Sequence, residues 1–488
     1  MAIMPDAPQS FIRALAFPGR VDVVETHISW VLLAGEFAYK IKKPVTLPFL
    51  DYGDVDKRRA CCHEELRLNR RFALDLYLDV IELDGEPAVK MRRFDERLRL
   101  DHVCAHGDLT DAQLSAFARD IAAFQASAAV LPAPTSPKGA GRHAVAVPSA
   151  ARDSTMSNTF GAPDTIRADA LENFEELERL QPDAAKTLAA LRRWTEEEFA
   201  RRESDFSRRK ARGRVREGHG DLHLGNLVLL DGRIVPFDGI EFNAGFRCID
   251  VASEIAFTLL DLLDHGQPGL ASWLLSEWLA WSGDFDALTV LRFYLVYRAL
   301  VRAKVTALQD KAGECAGYLA LAHRLTTPSA PTLTITCGPS GSGKTWASGR
   351  RLASADFLHT VRIRSDVERK RLFGLAPDEP SGGTIYSPEA TQRTYARLGE
   401  LAEQALAAGW SVIVDAAFLK RAERDAFRAL ACRLGCLCEL MVCTAPPEEL
   451  EQRLIARRGD ASEATPEVMR QQLEWLEAPG ADEIAGGA

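Results

Sequence analysis

The stretch TLTITCGPSGSGKTWAS, residues 332–348, limits what this chain can fold into more than any other. The run TLTITC reads as a buried strand. It breaks into Gly338-Pro339-Ser340-Gly341-Ser342-Gly343-Lys344-Thr345, and a helix pattern comes next. Glycines reach backbone conformations closed to other residues, so the N–H groups can curl around an anion with no Cβ in the way. The next helix adds its partial positive charge. In this strand–loop–helix setting Lys344 is spaced to reach the β- and γ-phosphates of a nucleotide, and Thr345 to ligate Mg²⁺. The spacing therefore predicts a nucleotide-phosphate site made by Gly338, Ser340, Gly341, Ser342, Gly343, Lys344 and Thr345, with ATP and Mg²⁺ as cofactors.

Segments downstream suit such a site. VRIRSD ends a strand at Asp366, which could cap the next helix, and Arg369 comes three residues later. SVIVDAAF reads as a buried strand ending at Asp415, a carboxylate for Mg²⁺ or its waters. CLCELMVC (436–443) reads as another buried strand. RLIARRGDASEAT brings Arg453, Arg457 and Arg458 onto a helix and its end, where they could neutralise a transferring phosphate. Strands alternating with helices predict a parallel sheet. Ligands bind at the carboxyl ends of such strands, where Asp366, Asp415 and the loop all fall.

TTPSAPT at 326–332 is linker chemistry and divides the chain into residues 1–325 and 333–488. The first piece reads as a small strand-rich lobe over about 20–100 and a helical body over about 101–325. A Pro-, Ala- and Gly-rich excursion covers 130–154, and the tail after Pro479 has the composition of a disordered segment. With 488 residues, 26% charged and 47% hydrophobic, the chain is of ordinary globular make-up. Its net charge of −9 argues against a basic nucleic-acid binder as a whole. Nothing approaches the roughly 20 apolar residues of a membrane span. Ten cysteines without framework spacing fit a reduced, cytoplasmic setting. Cys436 and Cys438 share a strand face, but no His or second Cys pair completes a zinc set, so core packing is expected for them.

The first piece carries a second constellation, GHGDLHLGNLVLLDGRIVPFDGIEF (218–242). His219, Asp221 and Asn226 lie on a short loop. Two strands joined by a tight Asp231-Gly232 turn bring Asp238 back to it. Two carboxylates and a carboxamide supply the hard oxygen donors of a Mg²⁺–nucleotide site. His223 reads as a structural hydrogen-bonder and Asp250 as an anchor for the loop region.

This pattern resembles the aminoglycoside phosphotransferase family, a branch of the protein-kinase-like fold. Its HGDxxxxN loop is matched by His219, Gly220, Asp221 and Asn226. The resemblance implies Asp221 as catalytic base and Asn226 and Asp238 as Mg²⁺ ligands. It also implies a strand lysine gripping the α/β-phosphates, Lys40 with Lys42 as alternate, and a helix glutamate paired with it, Glu65 with Glu64 as alternate. The pattern has no G-x-G-x-x-G loop. Residues 332–475 resemble the P-loop kinases: gluconate kinase, zeta toxin and the polynucleotide 5′-kinases. That likeness rests on the pair Asp366 and Arg369 and implies Asp366 as base, with Arg369 beside it and Arg453 and Arg457 as the candidate lid arginines that act on the phosphate.

The combination resembles bacterial fusions of an aminoglycoside phosphotransferase-family domain with a P-loop domain. The expected fold class is an α+β protein-kinase-like N-terminal domain plus an α/β P-loop NTPase domain with a parallel sheet. The expected function is a bifunctional ATP-dependent phosphotransferase acting on small-molecule hydroxyls. Two alternatives concern the C-terminal half. It could be a 5′-hydroxyl kinase for nucleic acid, with Arg362, Arg364, Arg369, Lys370 and Arg371 lining a basic channel. Or it could be a nucleotide-gated regulator of the other half.

Overall fold

The computed structural model describes residues 7–47, 50–131, 159–382, 385–456 and 461–484. The excursion at 130–154 falls outside the described residues from residue 132 onward, as do Arg457 and Arg458. The described chain gathers into two compact units. One is drawn from residues 1–109, 127–168 and 206–261, the other from 110–126, 169–205 and 262–488. Compactness thus groups the helices after residue 262 with the phosphate-loop half.

The first unit contains strands β1 (Val21–Glu25), β2 (Ser29–Ala34) and β3 (Phe37–Lys42), the short pair β4 (Thr46–Leu47) and β5 (Leu50–Asp51), and then β6 (Tyr77–Leu83) and β7 (Glu86–Arg92). Five of these form an antiparallel sheet in the order β1-β2-β3-β7-β6. The helix Val55–Asn69 lies between β5 and β6 in the chain. The period of two along β3 sorts its side chains. Tyr39 and Ile41 join a core with Phe11, Trp30 and Leu32, so Lys40 and Lys42 share the other face. The helix is capped by Asp54, whose side chain accepts the Lys57 N–H at 2.9 Å. It buries the stripe Arg58, Cys62, Glu65, Leu68 and Asn69. Cys62 packs with Ala73, Leu76, Tyr77 and Val89 into a second core.

Further along are β8 (Val215–Glu217), the hairpin β9 (Leu227–Leu230) and β10 (Arg233–Pro236), and β11 (Cys248–Asp250), which pairs with β8. The hairpin turn places Asp231 at φ 49° and Gly232 at φ 77°, the doubly left-handed geometry whose twist suits a two-residue hairpin. Asp250 anchors this region: Arg209 donates to both its oxygens at 2.8 Å, and both side chains are buried.

The second unit is built on β12 (Thr332–Cys337), β13 (Thr360–Arg364), β14 (Ser411–Asp415) and β15 (Leu437–Val442). They form a parallel sheet in the order β13-β14-β12-β15. The helix Pro268–Ser282 covers the β13 edge, where Ser276 Oγ accepts the Arg362 N–H at 3.0 Å. From the same region Leu288 O accepts the Trp410 indole N–H at 2.9 Å.

The expected division of classes is observed: an α+β module on an antiparallel sheet and an α/β module whose parallel sheet carries the glycine-rich phosphate loop. Three local readings need correction. CLCELMVC is a strand, but it lies on the sheet edge and is only half covered, with Leu437 56% exposed. Asp366 neither ends its strand nor caps the helix. The strand stops at Arg364, which holds the N-cap position, and Asp366 sits in the first turn of Ser365–Leu372. The tail after Pro479 forms the short helix Ala481–Ile484, held by a buried Glu483–Arg424 pair at 2.6 Å. Among the described residues no helix is long and apolar enough to cross a membrane.

Candidate active sites

In the first unit one carboxylate organises the site. Glu65 is fully buried and uses each oxygen on a different lysine: Lys40 Nζ donates at 2.9 Å and Lys42 Nζ at 2.7 Å. Burial opposes its charge, but the two ammonium groups outweigh this and hold its carboxyl down at about 2. Lys40 also reaches Asp238, and Lys42 reaches Glu241, which accepts from Tyr52 as well. Burial works against both lysine charges. The surrounding carboxylates, Asp238 and Glu65 for Lys40 and Glu241 and Glu65 for Lys42, nevertheless raise both above the usual lysine value. Glu64 instead pairs with Arg67 and Arg247, at 2.7 and 2.8 Å. The structure therefore joins Lys40, Glu65 and Asp238, and gives Lys42 a separate anchor.

Asp238 takes a left-handed backbone, φ 62°, and leaves 43% of its side chain open. Two hydrogen bonds hold that turn: Asp238 N–H to Tyr77 Oη at 2.9 Å, and Gly239 N–H to Asn69 Oδ1 at 2.8 Å. On the facing loop, Asn226 Nδ2 donates to the Asp221 backbone O and to Asp221 Oδ2, both at 3.0 Å. With its nitrogen so committed, Asn226 has its carboxamide oxygen to offer a metal. His219 Nε2 donates to Phe237 O at 2.8 Å while its Nδ1 accepts the Asp221 N–H at 3.3 Å. That neutral tautomer agrees with burial lowering its pKa. Glu254 accepts the His219 N–H, and Asp261 accepts the Leu224 N–H at 3.0 Å. His223 caps the turn after it by accepting the Gly225 N–H at 3.0 Å, and its Nε2 lies 3.4 Å from Asp221 Oδ2.

Among the described residues no group of three His, Cys, Asp or Glu side chains is placed to hold a metal unaided. The oxygens of Asn226 and Asp238 still fit Mg²⁺, which takes few protein ligands and completes its shell with phosphates and water.

In the second unit the loop after β12 holds three glycines at positive φ: Gly338 at 148°, Gly341 at 85° and Gly343 at 89°. A Cβ at Gly338 would collide with the Cys443 carbonyl, so the loop needs glycine there. Lys344 Nζ donates to Gly338 O at 2.8 Å and Pro339 O at 2.7 Å. Ser340 N–H donates to Gln472 Oε1 at 2.6 Å. Ser342 Oγ is buried with no hydrogen-bond partner among the described residues, so the cradle fits an outside anion. Thr345 lies in the first turn of the helix Lys344–Ala353, and Ser348 of that helix donates to the buried Asp415 at 3.2 Å. Arg364 Nε stands 3.9 Å from Asp415. This donor set suits Mg²⁺ bound beside phosphates.

Arg453 donates to Gly341 O at 3.2 Å and pairs with Glu449. Arg457 lies outside the described residues. Arg369 is buried, donates to Ile385 O at 3.1 Å and Thr391 Oγ1 at 3.2 Å, and stacks over Tyr386. The proposed basic channel is largely committed inside the protein. Arg362 meets Glu277 at 2.9 Å, Lys370 meets Glu463 at 3.0 Å, and Arg371 meets Glu368 at 3.2 Å.

Sequence reasoning missed Asn69, Tyr77, Glu241, Tyr52, Glu254 and Gln472. Asn69 sits four residues after Glu65 on one helix face. That spacing was the available signal. Tyr52 and Gln472 carried none.

Residues 333–479 match the family described as AAA domain. An uncharacterized protein of Mycobacterium tuberculosis (strain ATCC 25618 / H37Rv) is 28% identical over 478 residues, covering 93% of this chain and 91% of the relative. Another uncharacterized protein, from Mycobacterium bovis, matches to the same extent. Among solved structures, the GDP complex of wild-type aminoglycoside 2'-phosphotransferase-IIIa is similar at 14% identity and TM-score 0.40, covering 66% of this chain and 99% of that one. A choline/ethanolamine kinase family protein from Mesorhizobium loti is similar at 10% identity and TM-score 0.37, covering 66% and 95%. The Pnkp1/Rnl/Hen1 RNA repair complex is similar at 20% identity and TM-score 0.25, covering 31% and 45%. The P-loop assignment of residues 333–479 therefore stands on the loop geometry and the family match together.

Proposed function

We propose that the chain is a bifunctional phosphotransferase in which each half uses ATP and Mg²⁺ to phosphorylate a hydroxyl of a small molecule. We place it in the cytoplasm. The observation that carries the reading is Lys40, whose one ammonium ties the strand, Glu65 of the helix and Asp238 of the hairpin together. A lysine held between a buried carboxylate and a half-open one is poised to exchange the open partner for phosphate oxygens. Asp221 accepts the proton of the acceptor hydroxyl, while Asn226 Nδ2 fixes the orientation of its carboxylate. Mg²⁺ on Asn226 and Asp238 would supply charge neutralisation of the transferring group. In the second half Lys344 and the loop N–H groups hold the phosphates, Thr345 and Asp415 hold the metal, and Asp366 serves as base. Arg453 lies against the loop, where it can follow the phosphate.

The test is ATP turnover by wild type, Lys344→Ala and Asp221→Ala against aminoglycosides, sugars including gluconate, nucleosides and 5′-hydroxyl oligonucleotides. Two independent kinases require each substitution to abolish transfer to a different acceptor. Transfer to the oligonucleotide alone, lost in Lys344→Ala, would make the P-loop half a polynucleotide kinase. Transfer lost only in Asp221→Ala would make that half regulatory. No effect of either substitution would overturn the proposal.

A further inference from the structure

The phosphate loop is in contact with ligands from its own chain. Ser340 N–H donates to Gln472 Oε1 at 2.6 Å, across 132 residues of sequence. Gln472 stands on the helix Pro466–Trp475, capped by Thr465, so the carboxamide is delivered from a fixed element. Lys344 meanwhile donates to the loop carbonyls of Gly338 and Pro339. Arg453, from the helix Pro447–Ala456, donates to the carbonyl of Gly341. An N–H that already donates to an oxygen at 2.6 Å can offer a second oxygen only a weak, shared bond. A phosphate oxygen that takes the Ser340 N–H at full strength must therefore displace Gln472.

We infer that Gln472 is an internal competitor for the P-loop, its carboxamide oxygen occupying a donor that the terminal phosphates of a nucleoside triphosphate also use. This rests on reading residues 338–345 as the triphosphate site. A neutral hydrogen bond of this kind is net worth about 0.5–1.5 kcal/mol. Its loss converts to binding of triphosphate that is about 2- to 12-fold tighter. The device sets the affinity of the loop below what its glycines and lysine alone would give. It makes Gln472 a tuning residue and not a catalytic one.

The experiment measures equilibrium binding of N-methylanthraniloyl-ATP with Mg²⁺ to the full chain carrying Lys40→Met, which silences the first site. To this background are added Gln472→Leu, Gln472→Asn, Gln472→Glu or Lys344→Ala. Gln472→Leu removes the oxygen and Gln472→Asn withdraws it by one methylene. Both are expected to tighten binding about 2- to 12-fold. Gln472→Glu keeps the acceptor and adds a charge that repels phosphate, so it should bind more weakly than the Lys40→Met parent. Hydrogen exchange at the Ser340 amide should speed up in Gln472→Leu without nucleotide. If Lys344→Ala loses binding while Gln472→Leu and Gln472→Asn bind no more tightly than the parent, the inference is overturned and the P-loop reading stands. If Lys344→Ala binds as tightly as the parent, the P-loop reading fails and the inference with it.

Discussion

Replacing Glu483 by Gln should cost the second unit about 3 kcal/mol at neutral pH. The hydrogen bonds from Arg424 hold the Glu483 carboxyl down at about 2 against an ordinary 4.5, with burial opposing and the Gly480 N–H assisting. Arg424 Nε and Glu483 Oε1 are 2.6 Å apart, and both side chains are 1% exposed. The gap of about 2.5 pH units corresponds to about 3 kcal/mol, at about 1.4 kcal/mol per unit. Leaving a buried arginine without its partner costs a similar amount in other proteins, about 3–5 kcal/mol. Because the folded-state pKa is depressed, the stabilisation is complete above pH 4.5 and drains away as the pH falls towards about 2. At pH 3.5 the wild type should already have lost about 1.4 kcal/mol of it, while Glu483→Gln has nothing to lose. Urea unfolding followed through intrinsic tryptophan fluorescence, to which the buried Trp410 of this unit contributes, reads the difference as a shift in midpoint. Adding Arg424→Met to Glu483→Gln should recover part of the loss, because no buried charge is then left unpaired. Equal midpoints at pH 7, or a difference as large at pH 3.5 as at pH 7, would refute the reasoning. The effect should also reach the nucleotide site. Arg424 donates to Phe418 O at 3.0 Å and Leu419 O at 3.2 Å, and neighbouring Ala417 O accepts the Gly338 N–H at 2.9 Å.

Asp221→Asn should lower kcat of the first half by about 10²- to 10⁴-fold, the ordinary contribution of a general base, with little change in nucleotide affinity. Glu65→Gln should instead raise KM for ATP by removing the carboxylate that ties Lys40 to the helix, an effect that steady-state kinetics would separate from loss of the base. Asp250→Asn should destabilise the first unit by about 3–5 kcal/mol, seen as a lower urea midpoint, because it uncovers the buried Arg209. Gly338→Ala should abolish ATP binding at the P-loop in a direct binding assay, since its Cβ meets the Cys443 carbonyl and its φ of 148° is glycine territory.

What the sequence made legible and what it hid differ by range. The phosphate loop is contiguous, and each glycine in it answers to a backbone angle, so eight residues specify it. The Lys40–Glu65–Asp238 set is spread over 198 residues; the family resemblance nominated Lys40 and Glu65, and local periodicity is consistent with it. Alternation on β3 puts Lys40 and Lys42 on one face, helix spacing puts Glu65 on the buried stripe, and the Asp231-Gly232 turn returns Asp238. Periodicity says which face a residue takes but not which neighbour waits there. It could not choose between Lys40 and Lys42, because both meet Glu65, and the tie is broken only by Glu241 and Tyr52 drawing Lys42 aside. The same limit explains β15. An apolar, cysteine-rich run reads as buried, but burial depends on whether a further strand extends the sheet beyond it, and none does among the described residues. It also explains residues 480–484. Their small and acidic composition resembles a loose tail, and one carboxylate reverses that by finding a buried arginine 59 residues away. A single charge-assisted pair can outweigh the ordering entropy of so short a segment, and composition averages it out of sight.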